Sequence, residues 1–368
     1  MTTQPAHSEL PAITSPADVA ASVPYLLGFQ PANSIVMVFR NNHKSQLALT
    51  VRLDFPSPGR ECTDEAAILS QINHCARTAI AAGADEVDVV GFPGRDTGAR
   101  RALLARVCEV VSDWGVQLMS WGVVIDGQWT DFSDPDSRPV ALDTAGVRAQ
   151  VNWVGQGVSY VASREDLHAS VVGDATALSL EVLGRIEPAF ADRGLPPRTN
   201  SAARRRVEDS IVEFLSAAPE VGSLAVGEEP GSETLARWYL SLFDRRVREP
   251  ILWRLATMDQ LGDQPKAVVD WRGSALERLT WLVRNCPAQI GAPVSSVLAA
   301  FAWQCGSGAL AMIAAENAVA CDSRNILGSL VLQATRAGAQ PGLWRATLAS
   351  MTLGELRSSR RTSPSGSA

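Results

Sequence analysis

Residues 86–125 read EVDVVGFPGRDTGARRALLARVCEVVSDWGVQLMSWGVVI, and the order of element types along this stretch decides the fold class. Glu86 to Gly91 is a short, Val-rich apolar run bounded by turn residues, the pattern of a buried strand. From Thr97 to Asp113 the apolar positions change period: Leu103, Leu104, Val107 and Val111 fall on one face of a helix. Val116 to Ile125 is again strand-like, and Asp126-Gly127 marks a tight turn into Gln128-Trp129. A strand, a helix and a strand with short connections pack as a right-handed crossover, so the strands beginning at Glu86 and Val116 are expected to be parallel neighbours.

Upstream, Ser34 to Arg40 is a β-branched run between Pro31-Ala32-Asn33 and Asn41-Asn42, and Gln46 to Asp54 alternates Leu47, Leu49, Val51 and Leu53 with more polar neighbours. These two strands are expected to form a hairpin and to make the sheet mixed. Ser15 before Pro16 is an N-cap with proline at the first helical position, which predicts a short helix carrying Val19, Val23 and Leu26 on one face up to Gly28. Thr63 or Asp64 is expected to cap a second helix, in which Ile68, Ile72, Cys75 and Ala79 repeat at helical spacing until Gly83.

Downstream, Asp131 to Asp143 reads as a polar surface loop, and helices dominate after it, opening with the capping-box pattern Ser163-Arg164-Glu165-Asp166. No further strand is expected. Ser295–Trp303, Ala309–Cys321 and Asn325–Ala337 are three short helices, and Ala311 and Ala318 stand seven apart like the small packing residues of a tetratricopeptide unit. An ordinary bundle using small residues for close packing has the same pattern. The expected organisation is an α/β N-terminal domain, a mixed sheet with flanking helices, over 1–160 and a helical connector over 161–230. An all-α C-terminal domain with tetratricopeptide-like helix pairs follows over 231–357, and a polar tail over 358–368.

A length of 368 residues points to about two domains, and 46% hydrophobic with 20% charged residues is an ordinary globular composition. The formal net charge of -6 argues against nucleic acid, which needs clustered cations on one face. No stretch reaches the roughly 20 apolar residues of a membrane span, and no secretory leader is apparent, so neither a membrane nor export is expected. Cys62, Cys75, Cys108, Cys286, Cys305 and Cys321 are widely spaced with no C-x-x-C pair, which reads as reduced thiols in a cytoplasmic protein. His7, His43, His74 and His168 are too scattered to suggest a metal site. The patterns of P-loop nucleotidases, zinc proteases of the H-E-x-x-H type and α/β-hydrolases are missing, and no cofactor is read.

Two clusters remain as ligand candidates. Gly91, Gly94, Arg95, Asp96 and Thr97 belong to the Gly91–Gly98 loop that leaves a buried strand and enters a helix, the position where open α/β sheets place anions against backbone N–H groups. The glycine spacing does not match the dinucleotide fingerprint, and ordinary strand-to-helix turns share this composition. Asn33, Ser34, Arg52 and Asp54 are polar groups at strand ends; Asp54 would serve as a metal ligand or base if it faced a crevice. Arg52 and Asp54, two apart on one strand face, also read as an exposed ion pair. In the helical part, Trp238, Tyr239, Trp253, Trp271, Trp281, Trp303 and Trp344 would furnish core or an aromatic groove for a protein partner. The functional expectation is a protein-interaction or regulatory module acting through the helical domain. The alternative is an enzyme or sensor for a small anionic metabolite or nucleotide at the Gly91–Gly98 loop.

The stretches Ser15-Pro16-Ala17-Asp18, Tyr25 through Ser34 (YLLGFQPANS), Arg52-Leu53-Asp54, Ser163-Arg164-Glu165 and the Ala-rich helices from Gly308 to Cys321 together resemble the actinobacterial family called domain of unknown function 4192, DUF4192. The resemblance covers most of the chain and implies an α/β domain with a helical tail. It brings no activity, cofactor or catalytic residue. It also implies a cysteine-rich loop after the Trp129 position, where this chain has Asp131 to Pro139 without a cysteine.

Overall fold

In the computed structural model of the chain, the described residues are 15–41, 46–56, 61–95, 98–155, 158–172, 176–191, 200–217, 229–258 and 271–358. The chain divides into two compact units: Met1–Leu167 together with Arg336–Gln340, and His168–Thr335 together with Pro341–Ala368.

The first unit opens with α1 (Pro16–Leu27), where the Ser15 hydroxyl oxygen accepts from the Asp18 N–H at 3.2 Å and Gly28 closes the helix at φ 79°. The following elements are β1 (Ser34–Asn41), β2 (Gln46–Asp54), α2 (Glu61–Ala81), β3 (Glu86–Phe92), α3 (Gly98–Asp113), β4 (Gln117–Ile125) and β5 (Gln128–Asp131). They are succeeded by β6 (Val140–Ala141), α4 (Leu142–Ala145), α5 (Val147–Gly155) and α6 (Arg164–Val171), within which the division between units falls. The six strands form one sheet in the order β2-β1-β3-β4-β5-β6, with β3 and β4 parallel and every other pair antiparallel. The two expected hairpins and the parallel pair are all present. Asp126 and Gly127 turn β4 into β5 with φ values of 49° and 73°, the paired positive values of a tight hairpin turn. The segment read as a plain surface loop contains β6, because Trp129 pairs with Val140 and Gln128 with Ala141, and it ends inside the short α4.

Alternation along the strands sends side chains to two faces. Ile35, Met37, Phe39, Val87 and Val89 join Ile68, Ile72, Leu104, Val107 and Val111 in a core under α2 and α3. Val36, Val38, Val90 and Phe92 meet Val19, Ala20 and Val23 of α1, with Trp129 beside them. Trp153 of α5 is tied to α1 through its indole N–H, which donates to the Ser22 hydroxyl at 3.0 Å. A buried polar group sits among them: Asp88 is 1% exposed, accepts from the Ser120 hydroxyl at 2.6 Å, and pairs with Arg40 at 2.8 Å. The amide of Gln340, from the late segment of this unit, donates to the Ala48 carbonyl of edge strand β2 at 2.7 Å.

The second unit is helical: α7 (Ala177–Ala191), α8 (Ser201–Ser216), α9 (Ser232–Ser241), α10 (Arg245–Thr257), α11 (Trp271–Arg284), α12 (Ala292–Gln304), α13 (Gly308–Cys321), α14 (Ile326–Arg336), α15 (Pro341–Ser350) and α16 (Leu353–Ser358). Helix α12 is central; all its residues but Trp303 are buried, and α10, α11, α13 and α15 pack around it. A helix apolar on every side must be enclosed in this way. Ala311, Ala314, Ala315 and Ala318 of α13 are fully buried, and Gly328 admits the Ala318 methyl, which a Cβ there would meet at 2.9 Å. Glu208 of α8, 1% exposed, takes two hydrogen bonds from Arg357 of α16 at 3.1 and 2.7 Å and one from Arg254 of α10 at 3.4 Å. Among the described residues no helix is long and apolar enough to cross a membrane.

Candidate functional site at the strand ends of the sheet

The register of the sheet brings the two candidate clusters to one edge. Ser34 at the start of β1 is paired on one side with Asp54, the last residue of β2, and on the other with Phe92, the last residue of β3. This is the carboxyl end of the parallel pair, where the chain leaves β3 for α3 and where open sheets leave room for ligands.

The individual residues have different fates there. Gly91 is buried and paired with both Ile35 and Val123; a Cβ on it would lie 2.7 Å from Leu104 Cδ1 and 3.2 Å from Val123 Cγ1. Its lack of a side chain therefore lets α3 settle on β3, and it offers nothing to a ligand directly. Gly94 has φ 67° with open space around it, the left-handed turn that favours glycine. Arg95 beside it is exposed at the tip of the loop, while Asp96 and Thr97 lie outside the described residues. Ser34 is fully buried and its hydroxyl donates to the Ala32 carbonyl at 2.8 Å, which removes it from the surface of the site.

Arg52 binds Asp54 at 2.6 Å, and the Asp54 side chain is 70% exposed, so the pair is a solvated one rather than the wall of a crevice. Among the described residues no group of three or more His, Cys, Asp or Glu side chains stands close enough to hold a metal. Arg52 also lies 5.7 Å from the Phe29 ring centroid, and its Nε is buried without a hydrogen-bond partner.

Two arginines beyond the expected set lie at the start of α3. Arg100, in the first turn of α3, donates to Asn33 Oδ1 at 2.6 Å and lies 5.1 Å from the Phe55 ring. Asn33 is able to receive it because its backbone is left-handed, with φ 48°, and its carbonyl accepts from the Phe55 N–H at 2.9 Å. Arg101 lies 4.5 Å from the Phe132 ring, which in turn stands edge-on to Trp121 at 5.1 Å. Three guanidiniums are thus each positioned over an aromatic ring, Arg52 on the α1 face of the sheet with its cross-strand partner Val36, and Arg100 and Arg101 of α3 on the opposite face. The sequence carried a cue for the added pair: Arg100-Arg101 sits in the first turn of a helix, where the macrodipole disfavours positive charge. The aromatic partners Phe29, Phe55 and Phe132 are distant in sequence and carry no such cue.

In the helical unit the aromatic residues are turned to one another. Trp238 and Trp281 lie near Phe214 at 5.4 and 6.1 Å, Trp271 lies near Phe301 at 5.9 Å, and Trp303 lies near Trp344 at 6.3 Å. The Tyr239 hydroxyl donates to the Leu282 carbonyl at 2.7 Å, and the Trp253 N–H donates to the Met351 carbonyl at 2.9 Å.

No curated protein and no solved structure matches the chain. A model of the family described as domain of unknown function (DUF4192) matches residues 16–342, nearly the whole chain. The mixed sheet with its helical companion is accordingly a fold of that family, and the chain belongs to the DUF4192 family.

Proposed function

We propose that the N-terminal unit is a sensor for a small anionic metabolite or nucleotide, taken up at the carboxyl edge of β3 and β4 in the cytoplasm. The observation that carries this reading is the exposed Arg95 in the turn that leaves β3 for α3, followed by Arg100 in the first turn of α3 held over the Phe55 ring. Stacked arginines bind carboxylates and phosphates in a planar, two-pronged fashion. The left-handed turn at Gly94, with open space around it, adds backbone N–H groups next to Arg95. The test is a thermal-shift panel of nucleotides, sugar phosphates and anionic metabolites, followed by titration of Arg95→Ala and Arg100→Ala. A ligand at about a hundredfold its Kd stabilises by about 2.7 kcal/mol, which is readily seen as a rise in Tm. Affinity unchanged in both variants would remove this edge as the site.

A second reading, a regulatory module whose tetratricopeptide-like helices hold a protein partner, is favoured by one feature. Ile326 and Leu330, one turn apart on α14, are 73% and 50% exposed. Ile326→Glu with Leu330→Glu is expected to abolish partner capture while leaving Tm near that of the parent chain; capture that persists would exclude this face.

A further inference from the structure

Helix α14 has a thin footing in the helical unit: of its eleven residues only Gly328 and Val331 are buried. Gly328 lies against α13, where a Cβ would meet the Ala318 methyl at 2.9 Å. On the other side Ile326 is 73% and Leu330 50% exposed, while Leu327 and Ala334 are half-buried. The later helices α15 and α16 pack on α10, and Ile326 and Leu330 remain in solvent. Two large aliphatic side chains one turn apart on an exposed helix face mark a surface that another chain covers.

The residues on this side suit a second copy of the same helix. Ile326, Leu330 and Ala334 follow one another at helical spacing, one stripe along about 12 Å of helix. Turned antiparallel about a two-fold axis at Leu330, two such stripes set Leu330 against Leu330 and Ile326 against Ala334, a large side chain opposite a small one at each end. The stripe is uncharged: no acidic or basic residue occurs from Asn325 to Thr335. Arg336 stands six positions from Leu330, about 120° round the helix, so its charge is directed away from the contact. A charged peptide would find no counter-charge on this stripe, whereas an identical stripe brings no like charges together. We propose that α14 is the contact face of a two-fold symmetric dimer of this chain. The inference rests on the reading of α14 as a partner-binding face and names the partner. A single helix pair covers less than the ~1,200 Å² of a standard interface, so association is transient, with a Kd on the order of 1–100 µM.

Sedimentation velocity of the full chain from about 1 to 200 µM tests this, the range set by the size of the contact. The expected result is a mean mass that rises with concentration from that of the monomer toward twice that value. Leu330→Glu places two carboxylates at the two-fold axis and is expected to weaken association at least about tenfold; Leu330→Lys should do the same with two ammonium groups. Mixing these two variants puts opposite charges across the axis and is expected to restore most of the association, a rescue that a general loss of folding does not reproduce. The proposal is overturned if the parent chain stays monomeric up to about 200 µM. It is equally overturned if the dimer persists in Leu330→Glu, or if the mixture associates no better than either variant alone. A monomeric parent chain that captures a different protein, and loses it in Ile326→Glu, overturns the dimer while leaving the partner-binding reading of α14 in place.

Discussion

Replacing Gly122 by alanine asks the β4–β5 hairpin for space it does not have. A Cβ there would lie 2.0 Å from the Thr130 carbonyl oxygen, 2.7 Å from Trp129 Cη2 and 3.0 Å from the Thr130 carbonyl carbon. Two of these three atoms are backbone, so relief requires β5 to move away by roughly an ångström, weakening the ladder in which Gly122 pairs with Asp131 and Val123 with Thr130. Overpacking costs about 1–3 kcal/mol, and two disrupted ladder bonds add about 1 kcal/mol each, for a total of about 3–5 kcal/mol. Gly91→Ala is the internal control, because its nearest obstacle is the end of a leucine side chain, Leu104 Cδ1 at 2.7 Å, with Val123 Cγ1 next at 3.2 Å. Leucine rotation relieves most of that contact, and the loss of chain freedom in the unfolded state returns about 0.4–1 kcal/mol, leaving a net cost near 1 kcal/mol. The two variants should therefore differ by at least about 2 kcal/mol, equivalent to about 4–8 °C in Tm for a unit of this size. Scanning calorimetry of the full chain reads this directly, with urea titration followed by circular dichroism as a second measure. Equal destabilisation by the two substitutions, or a Gly122→Ala chain within about 1 kcal/mol of the parent, would refute the packing argument.

Other substitutions test the remaining polar contacts. Arg357→Ala strips the buried Glu208 of its two shortest bonds and is expected to lower stability by about 2–3 kcal/mol, toward the low end for a buried pair because Arg357 is itself 32% exposed. Glu208→Gln, which leaves only partly exposed arginines behind, should cost less in the same urea titration; the reverse order would contradict the asymmetry. Tyr239→Phe removes one buried hydrogen bond to the Leu282 carbonyl and should cost about 1 kcal/mol by thermal unfolding. Burial raises the Asp88 carboxyl above the ordinary carboxylate range, although Arg40 and Ser120 act against it. The folded chain then holds that proton more tightly than the unfolded one, so this contribution is full below about pH 3.9 and declines as pH rises through the folded-state value. Asp88→Asn should remove that part of the pH dependence of urea unfolding above pH 4, and an unchanged slope would show that Asp88 is not its source.

What was legible in the sequence follows from the range of the forces involved. Local alternation and turn chemistry identified both hairpins, and the change of period between Gly91 and Leu103 identified the parallel pair, because each signal is contained within a few residues. The insertion of β1 between β2 and β3 was not legible, since antiparallel pairing of Ser34–Arg40 with Glu86–Phe92 joins segments some fifty residues apart. β6 was missed because two residues carry no period, and their strand character comes entirely from pairing with β5. Helix α12 gave only a weak amphipathic signal because nearly all of it is enclosed, which a one-sided pattern does not describe. At the candidate site, Asn33, Ser34, Arg52 and Asp54 were located correctly at strand ends. Burial of Ser34 and the close seat of Gly91 under Leu104 depend on tertiary packing, as do the rings beneath Arg52, Arg100 and Arg101.

The bond from Gln340 to the Ala48 carbonyl has a bearing on how this chain is made. An edge strand presents unpaired backbone groups that recruit other strands, and here one of those groups on β2 is covered by a residue almost three hundred positions later. During synthesis at roughly 5–20 residues per second, β2 would emerge at least about 15 s before its guard. A ribosome-bound or truncated chain that ends before residue 336 therefore carries an open template, and pairing between neighbouring nascent chains is the hazard specific to that interval.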